Sequence, residues 1–159
     1  MMIPQPYKQL TRLEILSLCD WREAQNQPRD AMRGVAHVVR NRTFAATWWD
    51  GHKAGDYHAV ILDPFQFSSF NPGDPGADKW PRDNDPSWLK CQAACLWVPC
   101  GVDEDLTDGA QFYYDDSISF PAHWGPQSNF LNTLNVGNLL FWKLKHSQSL
   151  KGMVLRGRL

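Results

Sequence analysis

Apolar positions recur at helical spacing in three stretches of the chain, each opened by a capping signal. In the first, Ile15, Leu18 and Cys19, with the stem of Arg22, form one face. Thr11 and Glu14 stand as a capping box, and Leu10 and Ile15 are placed for a hydrophobic staple. This pattern predicts a helix over residues 12–24, broken by Gln25-Asn26-Gln27. Pro28 suits the first position of a second helix. There Met32, Val35, Ala36 and Val39 share a face out to about Arg42. The two helices form a hairpin with Glu23 near its bend. Asp85-Pro86 reads as cap and first position of a third helix reaching Val98.

Elsewhere the pattern changes. Residues 43–56 show little periodicity, and residues 56–62 fit a short helix. Residues 63–85 are rich in Pro, Gly, Asn and Asp around Gln66-Phe67-Ser68. An irregular stretch of that length in a compact domain is usually functional. Residues 101–109 form an acidic loop whose glycine falls one place late for an EF-hand, which argues against calcium. Phe112-Tyr113-Tyr114 reads as extended. Residues 138–144 alternate in the manner of a strand, with a helix as the alternative.

The 159 residues suffice for one domain with its own core. No apolar run approaches the roughly 20 residues that span a bilayer, and the first ten residues lack the apolar core of a signal peptide. The net charge of −1 is unevenly spread: residues 117–159 carry Lys143, Lys145, Lys151, Arg156 and Arg158 and no acid. This sets a basic C-terminal tail, residues 147–159, beside a mildly acidic body, residues 1–146. Contact of that tail with an anionic surface is expected, with a solvated tail as the alternative. No nucleic-acid partner is expected.

Eight tryptophans are many for this length. Most should be core, while one or two of Trp48, Trp49, Trp80, Trp88 and Trp124 are expected to face a ligand. Cys91 and Cys95 share a helix face, Cys100 follows and Cys19 is remote. Neither a CxxC pair nor a paired-histidine spacing accompanies them, so buried reduced thiols are expected rather than zinc. His37, His52, His58, His123 and His146 show no ligand spacing. No metal or cofactor is expected.

The chain holds three glutamates, Glu14, Glu23 and Glu104. Glu14 belongs to the capping box and Glu104 to the acidic loop. Glu23 alone closes an apolar helical pattern just before a polar break. A carboxyl placed there is partly desolvated, which raises its pKa toward the range of a general acid. The alternative is a solvated glutamate paired with Arg22 or Arg29.

Taken together these segments resemble the cell wall hydrolase family of the spore-cortex-lytic type, the SleB/CwlJ-like group with its phage-borne members. That family's Glu-Ala-Arg-Gly-Glu segment reads Glu23-Ala24-Gln25-Asn26-Gln27 here, and its helix end reads Val38-Val39-Arg40-Asn41-Arg42. The Gln-Phe-Ser segment is Gln66-Phe67-Ser68. The later segments are Gly109-Ala110-Gln111-Phe112-Tyr113, then Pro121 and Trp124, then Gly137-Asn138-Leu139-Leu140-Phe141-Trp142. Gln27 stands in place of the second acid and Leu139 in place of a late histidine.

The resemblance implies an α+β, mainly α, lysozyme-like domain with a small β element. It implies cleavage of peptidoglycan glycan strands between N-acetylmuramic acid and N-acetylglucosamine, in the manner of a lytic transglycosylase. Glu23 would be the catalytic acid, with Gln66, Ser68, Tyr113, Asn138 and Trp124 binding substrate. A phage or prophage endolysin is expected: a monomer made in the host cytoplasm and acting at the wall after release. An inactive wall-binding module, a muramidase and a zinc amidase are the alternatives.

Overall fold

The computed structural model describes residues 5–45, 53–64 and 66–145. Trp48, Trp49, His52, His146 and the basic tail lie outside the described residues. The helices are α1 (Gln5–Lys8), α2 (Arg12–Ala24), α3 (Arg29–Phe44), α4 (Tyr57–Leu62) and α5 (Pro86–Cys95). The strands are β1 (Phe112–Asp115), β2 (Phe130–Val136) and β3 (Leu139–Leu144). The architecture is the mainly helical α+β domain expected. Among the described residues no helix is long and apolar enough to cross a membrane.

Helix α2 has the predicted bounds because its start is fixed locally. The Glu14 amide donates to Thr11 Oγ1 at 3.2 Å, and the Thr11 amide donates back to Glu14 Oε2 at 2.6 Å. The helix is enclosed on nearly every side, however, not along a single stripe. Ile15, Leu16, Ser17, Leu18, Cys19, Asp20, Trp21 and Ala24 are all buried, and α3, α4 and α5 each pack against it. Burying one large aliphatic side chain contributes roughly 1.5–3 kcal/mol, so this helix anchors the core.

Pro28 caps α3 instead of starting it, and the helix runs on to Phe44. Helix α5 stops at Cys95, three residues short of the expected end, and turns follow. Cys19, Cys91 and Cys95 are buried and Cys100 is exposed, all as free thiols. The acidic loop is stitched to α3: Asp103 accepts from Arg33 at 3.2 Å and lies 2.7 Å from His37 Nε2, while Asp105 accepts from Asn41 at 2.9 Å. Those bonds deliver the chain to the start of β1.

The three strands form an antiparallel sheet in the order β1-β3-β2, with Tyr113 opposite Phe141 and Phe112 opposite Trp142. Residues 139–144 thus resolve as strand, not helix, with Asn138 in the turn before them. Alternation along β1 and β3 divides the aromatic residues between two faces. Tyr113, Leu139 and Phe141 join the helical core. Phe112, Tyr114 and Trp142 form a second cluster with Trp124 and Phe130. The sheet docks on α3 at Gly34, where a β-carbon would lie 2.6 Å from Phe141 Cζ.

Gly34→Ala should therefore destabilise the protein by about 1–3 kcal/mol, the usual range for overpacking, although alanine favours helix. Urea unfolding checks it, and equal or greater stability in the variant would show that the sheet can retreat.

Candidate active site

Three segments distant in sequence converge on Glu23. It lies in the last turn of α2 and is half-buried. The Ser69 hydroxyl donates to Glu23 Oε1 at 2.7 Å, and the Tyr113 hydroxyl donates to Glu23 Oε2 at 2.9 Å. Ser69 sits in a 3₁₀ turn, Ser68–Phe70, after α4. Tyr113, only 3% exposed, comes from β1 on the face turned toward the helices.

Electrostatics around the carboxyl pull both ways. Burial disfavours its charged form, and this effect is the largest. The Ser69 and Tyr113 hydroxyls and the charge of Arg42 oppose it, whereas Asp74 reinforces it. The outcome is a Glu23 pKa raised above the ordinary glutamate value. Arg42 is itself buried, donates to the Gln111 carbonyl at 2.8 Å and lies 5.1 Å from the Phe67 ring centre. Asp74 reaches the same neighbourhood. A β-carbon on Gly76 would lie 3.0 Å from Asp74 Oδ1 and 3.3 Å from the Ser69 β-carbon.

Glu23 and Tyr113 meet directly. Ser68 is half-exposed and adjoins the serine, Ser69, that bonds the acid. Gln66 is 6% exposed and so is part of the folded loop more than of an open surface. Asn138 lies in the β2–β3 turn, where its amide donates to Gln27 Oε1 at 2.9 Å. Trp124 requires a correction. It is 4% exposed and packed among Phe112, Tyr114, Phe120 and Phe130, so it has no free ring face for a sugar. Ser69, Arg42 and Asp74 were not singled out from the sequence. The doubled serine after Gln66-Phe67 is the signal that could have found the first of them.

The two departures from the family pattern also find a physical account. Gln27 uses a side-chain oxygen to tie the helix hairpin to the β2–β3 turn, a role an amide fills as well as an acid. Leu139 is buried in the helical core.

A sequence profile of the cell wall hydrolase family matches residues 26–142. The chain belongs to the cell wall hydrolase family. The matched span begins just after Glu23, so the role of that residue rests on its geometry. The fold of this cell wall hydrolase is similar to the crystal structure of the catalytic domain of the Bacillus cereus SleB protein. The TM-score is 0.63 at 19% identity, covering 89% of this chain and 95% of that one. No curated protein sequence shows a significant match.

Asp20, one turn before Glu23, is fully buried and its pKa is also raised, chiefly by burial. Both carboxyls bind protons more tightly folded than unfolded. Their contribution to stability is therefore complete below the unfolded pKa, near 4, and is lost as pH rises through each folded pKa. Stability of the parent should fall from pH 4 toward pH 8. Glu23→Gln and Asp20→Asn should each flatten that fall, because each removes a group that binds its proton more tightly in the folded protein. Urea unfolding across this pH range measures it, and an unchanged slope in both variants would contradict the electrostatic account.

Proposed function

We propose that this cell wall hydrolase cleaves peptidoglycan glycan strands between N-acetylmuramic acid and N-acetylglucosamine, with Glu23 as the general acid. One observation carries the reading: a half-buried carboxyl with raised pKa, held by two hydroxyls at 2.7 and 2.9 Å. Glycosidic cleavage needs a proton on the leaving oxygen as oxocarbenium character develops at C1. A carboxylic acid that holds its proton to higher pH than a free glutamate is suited to supply it. The C1–O bond breaks, and the leaving sugar takes the Glu23 proton. Glu23, now a carboxylate, removes the proton of the muramic C6 hydroxyl as that oxygen bonds to C1. The acid is regenerated and the product carries a 1,6-anhydro end. This is the lytic transglycosylase route, and it requires neither water nor a second carboxylate.

A muramidase is the second reading, favoured by one observation: the Asp74 carboxyl acts electrostatically on Glu23. A second carboxylate can activate a water that attacks C1 instead. An inactive wall-binding module is disfavoured, because Gln27 and Leu139 are accounted for outside the Glu23 hydrogen bonds. We place the activity in phage-induced host lysis: a monomer acting at the wall after release from the cytoplasm, its basic tail drawn to the anionic envelope.

Glu23→Gln keeps the shape and removes the proton, so wall clearing should fall by at least about a hundredfold, the usual scale of general acid catalysis. Mass analysis of digests should show anhydro-muramic ends, lighter by one water than hydrolytic ends. Ordinary reducing ends would leave Glu23 as the acid of a muramidase. Undiminished clearing by Glu23→Gln would remove it from the chemistry.

A further inference from the structure

The segment following Ser69 has almost no regular structure, yet it supplies a hydroxyl to Glu23. Its backbone makes local turn bonds, among them Asp74 to Asn71, Ala77 to Asp74 and Lys79 to Gly76, and the Gly76 amide donates to Asp74 Oδ1 at 2.7 Å. Phe70 packs against the helical core, and the carbonyls of the segment are gathered by Arg22. Nη1 of Arg22 donates to the Ser69 carbonyl at 3.1 Å and to the Tyr7 hydroxyl at 3.2 Å. Nη2 donates to the carbonyls of Ala77 at 3.0 Å and Lys79 at 2.9 Å, and Nε donates to Lys79 at 3.2 Å. A guanidinium has five N–H donors, and this set matches that full complement. The same group lies over three rings, 4.5 Å from the centre of Phe70, 5.3 Å from Trp80 and 5.8 Å from Tyr7.

None of the ion pairs among the described residues joins Arg22 to a carboxylate. The largest influences on Glu23 are burial, Ser69, Tyr113, Arg42 and Asp74, not Arg22, although it is the preceding residue. Its charge is met by carbonyl dipoles and ring faces. What it does to the acid passes through Ser69, whose carbonyl it holds on one side while the Ser69 hydroxyl bonds Glu23 on the other.

We propose that Arg22 is a positioning residue for the Glu23 acid, clamping the loop 69–79 so that the Ser69 hydroxyl stays on the carboxyl. A lysine cannot replace it: an ammonium offers three donors from one point and cannot bracket three carbonyls at once. The inference rests on the proposed role of Glu23 for its catalytic consequence, but its geometric core can be read without activity.

With only three glutamates in the chain, carbon-13 labelling of glutamate carboxyls gives three resolvable titrations, and Glu23→Gln identifies the one of interest. Ser69→Ala removes a donor that favours the charged form, so the Glu23 midpoint should move up. Arg22→Lys should move it the same way, and the Arg22→Lys, Ser69→Ala double variant should move it no further than Ser69→Ala. Arg22→Lys should also lower kcat about tenfold, part of the hundredfold or more expected of the acid, with KM changed less than twofold. Additive shifts in the double variant, a downward shift, or none in Arg22→Lys would overturn the proposal. Should Arg22→Lys fail to fold, Trp80→Leu is the substitute. Trp80 is 43% exposed, and stripping its ring from the stack should raise the midpoint by less; no movement would overturn the proposal. An inactive parent with the expected titration shifts would defeat the enzymatic reading and leave the clamp standing.

Discussion

The enclosure of α2 is the constraint on which the rest depends. A helix packed by α3, α4 and α5 has little open surface left to carry a charge, and its last turn holds Glu23. Burial there outweighs two hydroxyl donors and a nearby arginine, so the carboxyl keeps its proton to higher pH than a free glutamate. Asp20 shows the same physics deeper in the core, where the Cys95 thiol lies 3.6 Å from its Oδ2. The core is thus made at some electrostatic cost near neutral pH, with Asp20 fully buried and Glu23 half-buried at the helix end.

The remaining elements bring partners to that carboxyl from far along the chain. The acidic loop, anchored on Arg33, His37 and Asn41, sets the position of β1. Close contact of Phe141 with Gly34 presses the sheet onto α3. Together they aim Tyr113 at Glu23 from one side. The loop after α4, held through Arg22, brings Ser69 from another. Sites on such frameworks depend on the support as much as on the contacting groups.

Features written in a few adjacent residues were legible in the sequence. The Thr11/Glu14 box fixed the start of α2, and Asp85-Pro86 that of α5. Glu23 was distinguishable because only three glutamates exist and the other two had simpler explanations. Tyr113 was legible through the motif order that resembles the family. Features set by tertiary packing were not legible. Strand β2 was missed because Leu131, Asn132 and Asn135 are exposed and break any apolar alternation. The choice between Ser68 and Ser69 turns on the phase of a single 3₁₀ turn. Trp124 looked like a sugar platform until the second aromatic cluster enclosed it. Arg22 read as an amphipathic stem or as the partner of Glu23, since neither Tyr7 nor the carbonyls of loop 69–79 can be placed on it without the fold.

Glu23 must hold its proton to higher pH in the folded protein than a free glutamate does if it is to act as the acid. Carboxyl carbon-13 titration of the parent measures this at a single atom, with no substrate or assay interposed. The midpoint for Glu23 is predicted to lie above the ordinary glutamate value of about 4.3, in the direction set by burial. A midpoint at or below that value would mean that the hydroxyls and Arg42 outweigh burial, and would contradict its assignment as the acid.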